Sequence, residues 1–404
     1  MTAMIALTLA ITALTAVPVA AAVNRSPRAP AAAAAGSALA WGDNHSGQLG
    51  DGTIIDRHRP VGVQLPAGTT VTALATGGKH SLALTSAGTV LAWGSNHFGQ
   101  LGDGKTVDSH TPVQVSMPNG TVVTAIAAGG SHSLAVTAAG TVFSWGENQY
   151  GQLGDGTTVA SDVPVRVRLP RGAKVVAVRA SYNYSVALTA AGHVLTWGYN
   201  GSGQLGNGFH TASEIPTRVR VPKGTTVLAI ASGGFDGLAL TKSGTVLAWG
   251  DNRYGQLGNG TRRSSNVPVR VRLPAGTKVV ALGGGSQHSL ALTSAGKLLA
   301  WGWNRFGQLG TGTSRGSDLP VPVRLPSGVS VTAVSAGGGF SIALTSTGRL
   351  LTWGHNEFGQ LGDGGTASSL RPVTVSLPAG LSALALAAGP TTRHSLAVVG
   401  PSSP

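Results

Sequence analysis

The stretch "GGKHSLALTSAGTVLAWGSNHFGQLGDG", residues 77–104, decides the fold. Two runs in it, HSLALT and TVLAW, alternate in period 2 and are separated by the turn-prone Ala87-Gly88 pair. A Gly-rich loop follows. Working outward, VTALAT precedes it at 71–76 and PVQVSM comes after the loop at 112–117. Four short alternating runs bounded by Gly, Pro and Asn predict four antiparallel strands.

The unit repeats. Near-copies begin at Trp41, Trp93, Trp145, Trp197, Trp249, Trp301 and Trp353, each 52 residues after the last, with Pro60, Pro112, Pro164, Pro216, Pro268, Pro320 and Pro372 in phase. A period of this size signals a propeller or solenoid. One such sheet cannot cover its own faces, whereas seven around an axis can. The expected fold is all-β: a seven-bladed β-propeller of four-stranded antiparallel blades spanning 37–399. After the sixth full unit only two strands remain, near 383–388 and 394–399. The other two are SALAWG (37–42) and PVGVQL (60–65) at the opposite end. N- and C-terminal strands therefore close the last blade together, leaving 400–404 as a tail. The Gly-rich loop after each Trp reads as scaffold, with Trp and Leu as anchors and Asn and Gln amides bonding loop backbone.

Composition agrees. Gly at 61, Pro at 21 and 42% hydrophobic residues fit short strands and turns, and the chain has no Cys, which excludes disulfides and thiol chemistry. Residues 1–22 carry no charged side chain and end in Ala20-Ala21-Ala22, which reads as a secretory signal peptide. Residues 23–36 follow as an Ala/Pro-rich linker. An exported, secreted or cell-envelope protein is expected. The net charge of +14 favours acidic partners.

Several motifs imitate chemistry. GQLGDGKT (99–106) matches a phosphate loop, but a proline and a strand follow instead of the helix such a loop needs. The His-Ser pairs at His80, His132, His288 and His394 recur too often for a nucleophile and its base, and read as structural histidines bonded to backbone. The loops offer too few carboxylates for calcium. No catalytic, cofactor or metal residue is assigned.

What differs between units is more informative. ASYNYS (180–185) and GGFDGL (233–238) replace the usual turn, placing Tyr182, Asn183, Tyr184, Phe235 and Asp236 together on the long-loop face, with Tyr199, Trp303 and Arg305 on the same face. Aromatic and Arg side chains are typical interface hot spots. The aromatics at Phe98, Tyr150, Tyr254, Phe306 and Phe358 recur in most units and read as scaffold. The outer strands of three units place Arg166, Arg168, Arg218, Arg220, Arg270 and Arg272 on one side as a basic rim. That rim suits either an acidic polymer or protection of the sheet edge.

The 77–104 stretch and its copies resemble the regulator of chromosome condensation repeat, over 37–399. The resemblance implies a seven-bladed propeller. Its founding member exchanges guanine nucleotide on a nuclear GTPase through an inserted wedge, and the constant 52-residue spacing leaves no room for one. The sequence also gives no sign of the clustered tryptophans of a light-sensing relative, since all but Trp303 fall one per repeat. The reading is an exported, monomeric, noncatalytic propeller that binds an unknown protein partner through its long-loop face. The alternatives are a guanine-nucleotide exchange factor and a polyanion or cell-wall binder.

Overall fold

The computed structural model describes residues 36–402; the signal-like segment 1–22 and nearly all of the linker lie outside the described residues. Strands β1 (Ser37–Gly42) and β2 (Arg57–Gly62) are followed by blade 1, formed by β3 (Val71–Thr76), β4 (His80–Thr85), β5 (Val90–Gly94) and β6 (Ser109–Gln114). Blades 2 to 6 repeat this order, and all seven sheets have four antiparallel strands. Blade 7 runs from the axis outward as β27 (Leu381–Ala387), β28 (His394–Pro401), β1 and β2. The closure is an unbroken ladder from Ser37↔Val399 to Gly42↔His394. Strand β28 continues to Pro401, two residues into the expected tail.

The outer strands start about three residues earlier than the apolar pattern predicts: β6 covers 109–114, not 112–117. Its register begins at Ser109↔Gly94, and the Pro of each outer strand falls inside the strand. Proline is tolerated there because the strand is an edge, so a missing N–H faces solvent and breaks no ladder bond.

The Gly-rich loops fill the seams between blades. Each Trp indole donates to the backbone carbonyl of the Gln in the preceding blade's loop at 2.8–3.0 Å, in all seven repeats. Each loop Asn holds its own loop closed; Asn44 donates to Thr53 O and Ile55 O and accepts from Leu49 N–H. The loop tip then reaches the next outer strand, as Gly52 N–H does to His110 O, and Gly364 N–H closes the ring on His58 O. Glycine is required at Gly99, where φ is +77° and a Cβ would stand 2.4 Å from Asp162 Cα of the next blade. The core is accordingly a set of inter-blade layers, each with the Trp of one blade packed on the strands of the blade before it.

The histidines also belong to the seams, and they bond side chains, correcting the expected backbone partner. His80 Nε2 lies 2.9 Å from Ser133 Oγ, and His132, His288 and His394 repeat the contact on Ser185, Ser341 and Ser81 at 2.8–2.9 Å. Ser133 spends its own proton on Gln100 O, so it accepts from a neutral His80 protonated at Nε2. The second strand begins at the blade's flank, which aims these imidazoles into the next blade.

One seam lacks this pattern in a testable way. Gln152 O accepts both the Trp197 indole and the Ser185 hydroxyl, whereas Gln204 O accepts the Trp249 indole in a blade where Gly237 stands at the serine position. Trp249→Phe is expected to cost about 1 kcal/mol more than Trp197→Phe, because it strips a buried carbonyl of its side-chain donor. Equal losses in parallel denaturant titrations would refute this use of the serines.

Candidate functional site

The turns between first and second strands and the long loops emerge on one face, as expected from strand counting. Around the axis the turns form a collar: Gly78 N–H donates to Gly129 O and Gly130 O, and Gly130 N–H to Ser181 O and Tyr182 O. A Cβ on Gly78 would lie 2.7 Å from Gly130 O, so the collar depends on glycine there. Blade 3 departs from this with Tyr182, whose ring spreads toward Gly234 of blade 4.

Above the collar opens a funnel of about 810 Å³. Tyr182 and Asn183 line one side, Trp303, Phe306 and His355 another, and Lys79, Asp43, Glu357 and Arg393 complete it with mixed charge. Tyr182 stacks on Phe235 with centroids 5.0 Å apart and planes 14° from parallel, and its hydroxyl reaches Ser286 Oγ at 3.2 Å. Tyr199 stands edge-on to both Phe235 and Tyr150. A second aromatic arc runs Tyr254–Trp303–Phe306–His355. Burial lowers the His355 pKa, favouring a neutral ring against Phe306.

The structure thus brings Tyr182, Asn183, Phe235, Tyr199 and Trp303 together on one face. Of these Tyr182, Asn183 and Trp303 line the funnel, whereas Phe235 and Tyr199 stand behind Tyr182, and Arg305 is exposed on the face without lining it. Two expected site residues are corrected. Tyr184 and Asp236 are fully buried, because they occupy the histidine position whose side chains enter the seam. The Tyr184 hydroxyl donates to Gly233 O and Asp236 O, and at Gly237, where other blades carry serine, the indole of Trp249 occupies the space a Cβ would take. The Asp236 carboxyl is too short to bridge the seam, and burial holds its pKa well above the usual carboxylate range. A third correction concerns the recurrent loop aromatics. Phe98 is 46% exposed and Tyr254 37%, so these residues build the face and not the core.

Sequence reasoning missed His355, Glu357 and Arg393. The signal for Arg393 was in blade 7, where the turn reads AGPTTRHS with extra residues in place of GG-x-HS, whereas His355 and Glu357 stand in the long loop of blade 6. Arg393 folds over the Phe358 ring at 5.1 Å. Beside it, ligand atoms of Asp43, His45 and Asp56 lie within 4.8 Å of one another and could offer a divalent cation two oxygens and one nitrogen. Here they form an ion pair, with His45 Nδ1 2.6 Å from Asp43 Oδ1, which raises the His45 pKa.

Below the collar the axial channel is lined by small residues such as Ala75, Ala127, Ala231 and Gly283. Arg179 of blade 3 also enters it; burial lowers its pKa to about 10, which leaves it charged at neutral pH. The six rim arginines are all exposed, but they divide. Arg168, Arg220 and Arg272 lie back against the loop glycines Gly156, Gly208 and Gly260, whereas Arg166, Arg218 and Arg270 end the outer strands at the opposite face.

A family model for the RCC1-like domain matches residues 37–397. The chain belongs to this family. It is 36% identical over 325 residues to the ultraviolet-B receptor UVR8 of Arabidopsis thaliana, covering 80% of this chain and 74% of that protein. It is 35% identical to the human E3 ubiquitin-protein ligase HERC2 over 93% of this chain, but spans only 8% of HERC2. Among solved structures, human WBSCR16 superposes with a TM-score of 0.81 at 26% identity, covering 91% of this chain and 99% of that one. Prp20p of Saccharomyces cerevisiae, characterised for its binding to Gsp1p and histones, gives 0.81 at 25% identity, with 92% and 93% covered.

Proposed function

We propose that this RCC1-like propeller is an exported, noncatalytic module that binds a protein partner through the long-loop funnel. The observation that carries the reading is the convergence of Tyr182, held by its stack on Phe235, and Trp303 on one concave, partly exposed surface. Partly exposed aromatic rings beside Arg and Lys have the composition of a binding hot spot, and a rigid ring of blades holds them with little entropy left to lose on binding. The neighbouring Prp20p, which binds Gsp1p and histones, supports protein binding by a propeller of this family. Nucleotide exchange by a wedge has less support, because every long loop here has the same length.

Capture of partners on residues 37–404, at low and high salt, tests the site beside a Tyr182→Ala/Phe235→Ala variant with an unchanged melting curve. A partner that survives salt and is lost at least tenfold in the variant is the expected result. A partner retained by the variant would remove the funnel from the function. Export rests on the uncharged segment 1–22 and predicts a mature N-terminus at Val23, read by N-terminal sequencing of secreted material. Full-length protein retained inside the cell would contradict it.

A further inference from the structure

The charged side chains are divided between the two faces. All 14 acidic residues lie at the long-loop end: within 43–56, 103–108 and 147–162, at Glu214, Asp236, Asp251 and Asp318, and within 357–363. The opposite face is built from the turns between second and third strands and the links from each outer strand to the next blade. Among the described residues it has no Asp or Glu side chain. Its basic residues are concentrated on blades 3 to 5.

Blade 3 is the focus. Arg171 and Lys174 from the link into the blade, His193 from the second turn and Arg218 from the end of the outer strand surround one pocket of about 320 Å³. No carboxylate lines it. The equivalent positions in blade 1 are Ala67, Thr70, Thr89 and Gln114, so the convergence is not a property of the repeat. On the next blade Lys223, Lys242 and Arg270 continue the row, and on the one after it Lys278 and Lys297; all five are exposed.

We propose that this face binds a linear phosphate polymer, with the blade 3 pocket as its anchor and the bases of blades 4 and 5 as a track. Guanidinium forks match phosphate oxygens in pairs, and lysines add point charge. The sector shape argues for a chain and not a bilayer. The link tips of blades 1, 2, 6 and 7 carry Ala67, Asn119, Ser327 and Ala379, and blades 2 and 6 add one base each, Arg166 and Arg349, against two or three Lys or Arg on each of blades 3 to 5, so a flat anionic surface would meet a lopsided charge. The face is also remote from the funnel, so the two sites are separable by mutation.

The test titrates the chain with short inorganic polyphosphate, polyglutamate, and phosphatidylcholine vesicles containing phosphatidylglycerol. An Arg171→Ser/Lys174→Ser/Arg218→Ser variant is compared with Arg262→Ser/Arg263→Ser/Arg315→Ser, which removes the same charge from exposed long-loop residues. Polyphosphate is expected to bind best. The blade 3 variant should weaken it about tenfold or more and flatten the plot of log affinity against log salt by about 2, near 0.7 per lost phosphate contact. The control variant should do neither. Equal weakening by both variants would reduce the effect to net charge and overturn the proposal. So would an unaffected blade 3 variant, or tighter binding of polyglutamate or vesicles.

Discussion

Removing residues 37–66 is expected to abolish the cooperative fold. These residues supply β1 and β2, half of blade 7, and β1 is the strand that pairs with β28 along six consecutive residues. Without them β28 becomes an exposed edge, Trp41 is lost from the layer it shares with Ile342, Leu344 and Leu350, and blades 6 and 1 lose their bridge. Closing so long a chain into a ring costs on the order of 5 kcal/mol in entropy. Total stabilities of natural domains are on the order of 5–15 kcal/mol, so losing the outer half of the seam on each side of blade 7 exceeds what the remainder can absorb. Calorimetry of 67–404 should show no sharp transition, with aggregation through the open edge. A transition within a few degrees of the intact ring would mean that six blades suffice.

Mild acid is expected to destabilise the protein steeply. Burial depresses the folded-state pKa of His80, His132 and His288 to about 3 and that of His394 to about 4. An unfolded histidine titrates near 6.5, so between about pH 6.5 and 4 the unfolded chain binds protons that the folded chain refuses, and stability falls as pH falls. The structure shows why the proton is refused. Each Nε2 already bonds a serine, and each Nδ1 is buried without a hydrogen-bond partner. Each group contributes up to about 1.4 kcal/mol per pH unit, and four together about 5. Asp236 acts with the opposite sign, since its raised pKa gives stability in acid that is lost as pH rises, and so do Glu147 and the exposed His45, while His355 adds to the four buried histidines. Denaturant midpoints at pH 7 and pH 5 should therefore differ strongly, and His132→Gln should flatten the slope by about a quarter. A midpoint independent of pH over this range would mean that these imidazoles protonate without unfolding.

The fold was legible because its signal was repeated: period-2 runs, Trp and Pro in phase, and half a blade at each end. The outer-strand offset was not, because the apolar run PVQVSM records which residues pack inward, whereas the strand is set by ladder bonds that start at Ser109. The site was half legible. Tyr182 stood out by replacing a glycine of the Gly-Gly turn, and Phe235 by following an intact Gly233-Gly234. Tyr184 and Asp236 broke the pattern equally, yet both side chains are buried in seams, where the Tyr184 hydroxyl meets backbone carbonyls of Gly233 and Asp236, a placement that exists only in three dimensions. Recurrence misled in the opposite direction for Tyr254 and Phe306, since a feature copied in most blades can still form a surface when the blades converge on an axis.

The most direct measurement of the central claim is hydrogen–deuterium exchange on the captured complex. The account predicts new protection at 181–184, 233–236, 302–307 and 390–394, around the funnel mouth, with the outer strands unchanged. Protection confined to the outer strands or to the opposite face, with the funnel segments exchanging as in the free chain, would contradict it.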